Sequence, residues 1–202
     1  MRKVTAVALV LGPVGSATAT YFWEDGRYGV TGGTILVLSM VVWTYGMLGL
    51  LEQVRRRLPR FGAVMLPVVL LGMLGGYAFG FQGFFEAVFH ASAGESLAAL
   101  EPYPVAANLL LWLPGPMMPV SLMLLGAGLG YRRVVPIWIG AVLCVAGALF
   151  PLSRIPRIDL VAHLADGLLV VAFLGLAWWY ATDRISGRGE SDHAPIRVPT
   201  GS

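Results

Sequence analysis

Charged side chains are scarce in this chain: only 12% of its 202 residues are charged, whereas 57% are hydrophobic. Soluble domains carry about 25% charged residues, so this composition excludes a water-soluble domain of ordinary size. The net charge of +3 does not indicate a nucleic-acid partner, because most of the positive side chains fall in short connections between apolar runs. That distribution is typical of one face of a membrane protein.

Cysteine pairs and recognisable catalytic motifs are also missing. The only cysteine, Cys144, lies within an apolar run, which excludes an intramolecular disulfide and a redox thiol pair. The sequence contains no HExxH zinc motif, no GxSxG nucleophile motif and no phosphate-binding loop. No cofactor is therefore implied, and the sequence leaves open whether the chain is an enzyme.

Six long apolar runs dominate the sequence. A transmembrane helix needs about 20 mostly apolar residues to cross about 30 Å of hydrocarbon, and the runs lack the two-residue alternation of membrane strands. We therefore predict one all-α domain over residues 1–182, a polytopic bundle of six helices, followed by a disordered tail at 183–202. The predicted spans lie near Val4–Trp23, Val30–Leu51, Ala63–Phe85, Val105–Leu129, Val135–Leu152 and Leu160–Thr182.

Positive charges mark alternate connections between these spans. Arg2 and Lys3 precede the first span and arginines fill the second and fourth connections, whereas the first and third connections are neutral or acidic. The positive-inside rule therefore predicts that both termini are cytoplasmic and that the protein lies in the cell membrane. The fifth connection breaks the pattern, because it places Arg154 and Arg157 on the outer side.

The first apolar run also resembles a secretory signal. Arg2 and Lys3 come first, an apolar stretch extends to Val14, and the small residues 17–19 follow like a cleavage site. Cleavage is thus an alternative to a first transmembrane helix. It would leave five spans in the same orientation.

Small residues recur at every fourth position in three of the predicted helices, which lets helix backbones pack closely. The same faces are candidates for contact with a second copy or with another membrane protein. The small-residue sets are Gly12, Ser16 and Thr20; Gly72, Gly76 and Gly80; and Gly140, Cys144 and Ala148.

In the longest connection, Ser92 or Ser96 is expected to cap a short interfacial helix, with Leu97 and Leu100 toward the membrane.

Three prolines interrupt the fourth predicted helix. Pro114, Pro116 and Pro119 each remove a backbone N–H, so they predict a kink or a break. A broken helix is tolerated in a membrane where protein or a water-filled cavity satisfies the freed carbonyls. The kink therefore either points to a central cavity or simply shapes the bundle.

Polar residues gather at the predicted outer face. On the sixth helix Asp159, His163 and Asp166 fall within a stripe about 60° wide. At about 1.5 Å per residue, Asp166 lies about 9 Å below the start of the helix, where a carboxylate must be paired, protonated or in contact with water. On the third helix, Glu86 and His90 repeat the acid-to-histidine spacing at the same membrane face.

Our first functional hypothesis is a transporter-like protein with an outward-facing polar pocket for a small molecule, an ion or a lipid. Gln82 lies one turn deeper than the acid on the third helix, and Arg154 and Arg157 reach the same face. Aromatic side chains in the spans are further candidates for the pocket wall. The predicted pocket residues are Glu86, His90, Arg154, Asp159, Gln82 and Trp112.

The main alternative is a membrane-embedded enzyme in which Asp166 and His163 form an acid–base pair acting on a lipid or isoprenoid substrate. A metal site, if present, would draw on His163, Asp166, His90 and Glu86. A third alternative is an accessory subunit without chemistry of its own. In structural terms, Asp159 can cap the sixth helix and Asp166 can form a buried ion pair with Arg154.

Overall fold

The computed structural model of the protein describes residues 1–24, 27–154, 156 and 158–185. Arg157 and residues 186–202 of the predicted tail lie outside the described residues. The helices are α1 (Arg2–Thr20), α2 (Gly29–Arg57), α3 (Pro59–Val88), α4 (Ala93–Ala98), α5 (Pro104–Ala107), α6 (Pro114–Tyr131), α7 (Ile137–Arg154) and α8 (Asp159–Ala181), with a π-helix at Asn108–Trp112 between α5 and α6.

Six of these segments are long and apolar enough to cross a membrane: α1, α2, α3, the combined segment Pro104–Tyr131, α7 and α8. We call Pro104–Tyr131 the fourth span. The predicted all-α bundle of six membrane helices is therefore confirmed, and the chain is a multi-pass integral membrane protein.

The second helix continues beyond its predicted end at Leu51. It has 29 residues, or about 44 Å at about 1.5 Å per residue, which exceeds the thickness of the hydrocarbon. A hydropathy profile does not predict the last turns of this helix as part of the span, because they carry arginines. These turns stay helical through ion pairs from Glu52 to Arg55 (2.8 Å) and Arg56 (3.2 Å) and through the favourable position of cations at a helix C-terminus.

The six spans form a closed ring. Each packs mainly against its neighbours in the chain, in the order α1, α2, α3, α6, α7 and α8, and contacts between α1 and α8 close the circle. Trp43 of α2 and Phe173 of α8 are both fully buried and meet edge to face, with ring centroids 5.1 Å apart. Because α2 and α8 are not neighbours in the ring, this aromatic pair fills its interior.

Small residues lie where neighbouring helices touch, as their spacing predicted. A Cβ atom added to Gly140 of α7 would lie 2.5 Å from the carbonyl oxygen of Gly126 on α6. A carbonyl in a helix cannot move aside, so glycine is required at this crossing. Gly12 of α1 packs in the same way against Trp43 of α2.

The fourth span is broken where its prolines begin, which confirms the predicted kink. The N–H of Leu113 bonds to the carbonyl of Asn108 at 2.9 Å, one residue beyond the usual helical partner, and α6 starts at Pro114. A proline ring clashes with the carbonyl four residues earlier, and the wider π-turn relieves that clash.

The first predicted tail residues are ordered. Asp183 ends α8 with a φ of 61° and pairs with Arg2 of α1 at 2.9 Å, and Ile185 is fully buried. Through this ion pair, an arginine near the start of α1 holds the turn at residues 183–185 against the bundle.

The short helix predicted in the longest connection is present as α4, and Ser92 is its cap. The Ser92 hydroxyl accepts a hydrogen bond from the Glu95 N–H (3.2 Å), and the Glu95 carboxylate accepts one from the Ser92 N–H (2.7 Å). The N–H and hydroxyl of Ser92 together lower the pKa of the Glu95 carboxyl. This reciprocal capping fixes the start of α4 close to the end of α3.

Candidate functional site

Asp166 is the most deeply placed acidic residue of the predicted polar cluster. It is 2% exposed, and Arg154 Nη2 donates to its Oδ1 at 2.9 Å and to its Oδ2 at 3.0 Å. Thr20 Oγ1 donates to Oδ2 at 2.6 Å. The side chains come from α8, α7 and α1, so this network joins three helices at one end of the ring, which we call the Arg154 end. The ion pair foreseen as a structural alternative is thus formed.

Arg154 contacts two aromatic rings. Its guanidinium carbon is 4.8 Å from the ring centroids of both Trp23 and Phe150, and Nη1 donates to Ser153 Oγ at 3.3 Å. Among the described residues, its Nε–H has no hydrogen-bond partner. A planar guanidinium stacks on aromatic faces while its edges remain available for bonding, so Arg154 keeps an unused donor.

Among the described contacts, His163 forms no hydrogen bond or ion pair with Asp166. Its ring stacks on Tyr21, with centroids 4.5 Å apart. The two residues share a helical stripe, but a stripe about 60° wide spans both the bundle interior and its flank. Asp166 occupies the interior and His163 the flank, so the predicted acid–base pair is not formed.

Asp159 is separate from the cluster. It is exposed and is the first residue of α8, whose N-cap is Ile158 without a side-chain cap. The prediction that Asp159 caps this helix is therefore wrong by one position. At the first helical residue, its carboxylate still interacts favourably with the helix dipole.

His90 is also separate, because its backbone ends α3. It is exposed with a φ of 53°, its N–H bonds to the Ala87 carbonyl at 3.3 Å, and the Ala91 N–H bonds to the Glu86 carbonyl at 2.9 Å. These bonds define a Schellman motif. The predicted helical spacing between Glu86 and His90 fails, since the helix ends before His90.

The predicted metal ligands do not assemble. Across the part of the chain that the structure describes, no group of three or more His, Cys, Asp or Glu side chains is arranged to hold a metal ion. His163 and His90 lie apart from the carboxylates expected to share a metal with them, for the reasons given above.

A cavity of about 210 Å³ opens inside the Arg154 end of the ring. Its walls come from α1, α2, α3, α4, the fourth span and α7, and most of the lining is apolar. Four predicted pocket residues line it: Glu86, Arg154, Gln82 and Trp112. His90 and Asp159 do not line this cavity, and the π-helical part of the fourth span forms part of its wall.

Glu86 is a buried carboxylate at the wall of this cavity. It is 5% exposed, and its Oε1 accepts hydrogen bonds from Gln82 Nε2 (2.9 Å) and from the hydroxyl of Ser96 on α4. Within the described residues, no Arg, Lys or His forms an ion pair with it, and no hydrogen bond reaches its Oε2. Among the residues that the structure describes, the carboxylate of Glu86 therefore has hydrogen-bond donors but no paired cation.

Arg27 lines the cavity although it was not among the predicted pocket residues. It precedes α2, is half-buried, and donates from Nη1 to the Ala91 carbonyl at 3.3 Å. No carboxylate of the described segments lies within ion-pair distance of it. The available signal was its position in the first connection, on the same predicted face as Arg154.

A second, larger depression adjoins this cavity. It has a volume of about 500 Å³ and lies between α3, α4 and the first half of the fourth span. We call it the lateral groove. Ten of the fourteen residues that line it are apolar, and the others are Gln82, Glu86, Glu95 and Ser96. The groove shares Gln82, Glu86 and Leu111 with the cavity. Phe85, on its wall, is 48% exposed, so the groove reaches the outside of the helix ring.

Comparison of the chain with protein-family models, curated proteins and solved structures finds no significant match. The fold and the site nonetheless define a class. The chain is a multi-pass integral membrane protein in which an amphiphilic cavity at one end of a helix ring adjoins a mostly apolar lateral groove.

Proposed function

We propose that the protein binds an amphiphilic molecule in the cavity and moves it across the membrane, as a permease-like transporter. The observation that carries this proposal is the junction of two unlike spaces. The cavity holds Arg27, Arg154 and Glu86, whereas most of the residues that line the lateral groove are apolar, and the two spaces share Glu86 and Leu111. A molecule with a polar head and an apolar chain matches the pair of spaces.

The energetics of Glu86 support a binding function. A carboxylate within a membrane protein is costly unless it is paired or in contact with water, and this one has hydrogen bonds but no counter-charge among the described residues. Such a group is retained where it meets a ligand or a solvated passage. The lateral groove also falls within the range of about 300–1,000 Å³ that is usual for ligand pockets.

The enzyme hypothesis has less support. It depended on Asp166 and His163 acting together, but the Asp166 carboxylate is bound by Arg154 and Thr20, while His163 stacks on Tyr21. A general base must be within hydrogen-bond reach of its proton, and this carboxylate is already engaged.

Photo-crosslinking tests the proposed binding. Proteoliposomes are prepared with a phospholipid whose acyl chain carries a diazirine, irradiated, and digested for mass spectrometry. We expect crosslinks to be several-fold enriched in peptides of the lateral groove, which include Phe85 and Leu110. Peptides containing Leu38 and Val64, which are 62% and 65% exposed on other faces of the ring, are the internal control. Crosslinks that simply follow exposure would contradict the proposal.

The orientation belongs to the same proposal: the Arg154 end faces outward, and both termini are cytoplasmic. Replacing Cys144 by serine gives a background for single cysteines, one at Gly94, where a Cβ meets nothing within 4 Å, and one at Ser191 in the tail. A membrane-impermeant maleimide should label Gly94→Cys in intact cells and Ser191→Cys only after permeabilisation. The reverse pattern would refute the orientation.

A further inference from the structure

We infer that the amphiphile is a phospholipid with a zwitterionic head group, whose ammonium is bound by Glu86 and whose phosphate is bound by Arg27 beside Arg154. This inference rests on the proposed function and names the substrate class of the same cavity.

The charge balance of the cavity favours a zwitterion. Arg154 is neutralised by Asp166 at 2.9 Å. The described residues of the cavity wall therefore retain one cation, Arg27, and one anion, Glu86, which are not paired with each other. An anionic head group would leave Glu86 without a counter-charge, and a cationic head group would leave Arg27 without one. A zwitterion compensates both charges, which matters where desolvated charges are costly.

Unused donors indicate where the phosphate binds. Trp23 and Arg154 both line the cavity and stack on each other. The indole N–H of Trp23 and the Nε–H of Arg154 are buried, and neither has a partner within the described part of the chain. Arginine is well suited to phosphate because its planar fork matches the oxygen geometry. Phosphate oxygens bound at this wall would face Arg27 and would accept hydrogen bonds from these two unpaired N–H groups.

The lateral groove indicates a lipid and not a free zwitterion. It begins where the cavity ends, at Gln82, Glu86 and Leu111, and small side chains such as Ala99 and Ala107 line it. Small residues leave depth between α3, α4 and α5 for an acyl chain. A head group at Glu86 therefore places its chain in the groove, whereas a soluble phosphoethanolamine would leave the groove unfilled.

Native mass spectrometry of the full chain in detergent tests the substrate class. The probes are lysophosphatidylethanolamine, lysophosphatidylglycerol, dodecylamine and free phosphoethanolamine. We expect the zwitterionic lipid to bind about tenfold more tightly than the anionic one, which corresponds to about 1.4 kcal/mol. Dodecylamine should bind more weakly than the zwitterionic lipid, and phosphoethanolamine should not bind measurably.

Two substitutions separate the ends of the head group. Glu86→Gln should abolish the preference for lysophosphatidylethanolamine over lysophosphatidylglycerol, because the ammonium loses its counter-charge. Arg27→Gln should instead weaken both phospholipids by similar factors and keep the preference. Glu101→Gln, an exposed carboxylate outside the cavity and the groove, is the matched control and should leave both affinities unchanged. Size-exclusion profiles establish that each variant is folded.

The outcomes distinguish this inference from the proposed function. Equal binding of the two lysolipids by the unmodified protein, or a preference that survives Glu86→Gln, would contradict the inference that the head group is zwitterionic. If free phosphoethanolamine bound as tightly as lysophosphatidylethanolamine, the inference that the ligand is a lipid would be wrong. In each case, crosslinks enriched in the lateral groove would leave the proposed function standing. Crosslinks distributed only according to the surface exposure of each residue would contradict both the inference and the proposed function.

Discussion

Replacing Arg154 by methionine should destabilise the protein by about 3–5 kcal/mol, the usual effect of removing one partner from a buried ion pair. Asp166 is only 2% exposed, so its carboxylate would keep only the Thr20 hydroxyl as a donor among the described contacts. The aromatic rings of Trp23 and Phe150 would also lose the cation that contacts them. The loss is a large part of a typical total stability of about 5–15 kcal/mol.

Thermal unfolding in detergent, followed by fluorescence-detected size-exclusion chromatography, measures this effect. The double variant Arg154→Met/Asp166→Leu removes both charges and should recover most of the loss, because a buried pair replaced by apolar residues is often neutral. Arg56→Met is the matched control, since Arg56 is 60% exposed in a surface pair with Glu52 and should change stability little. If Arg154→Met were as stable as Arg56→Met, the ion pair would not hold these helices together.

The number of spans and the kink in the fourth one were predictable because they depend on local sequence. A run of apolar residues has no stable alternative to a helix in lipid, where every backbone polar group must be satisfied internally. Pro114 likewise acts on its own helix, by removing a hydrogen bond and crowding the carbonyl four residues earlier. Neither effect depends on the partner helices.

From the sequence, the ion pair of Asp166 with Arg154 could be predicted only as one of several alternatives. Arg154 was conspicuous because it broke the positive-inside pattern, and a buried carboxylate requires a partner at the same depth. The pair itself depends on α7 and α8 being neighbours with Arg154 turned inward. Sequence periodicity shows which residues share one face of a helix, but it does not show which neighbouring helix packs against that face.

The histidines and Arg27 mark where sequence reasoning fails. The helical spacing assigned to His90 does not apply, because the chain takes a φ of 53° there and leaves the helix. His163 turns to Tyr21, which belongs to another element. Arg27 was missed because nothing in a short connection shows that its side chain folds back over the cavity.

Replacing Leu111 by tryptophan should abolish movement of lipid across the membrane, and this is the second large effect that we expect. Leu111 lines both the cavity and the lateral groove and is half-buried. A larger ring at the junction would block the passage of a chain from one space to the other. Leu109 lies on the same π-helix but is 57% exposed and lines neither space, so Leu109→Trp is a control of equal chemistry.

The most direct test of the transport route is therefore dithionite reduction of a fluorescent NBD-labelled phosphatidylethanolamine in proteoliposomes. In protein-free vesicles only the label of the outer leaflet is reduced. The unmodified protein and Leu109→Trp should extend reduction to the inner leaflet, while Leu111→Trp should behave like protein-free vesicles. If folded Leu111→Trp moved lipid as fast as the unmodified protein, or if the unmodified protein moved none, the cavity and groove would not be a route for an amphiphile.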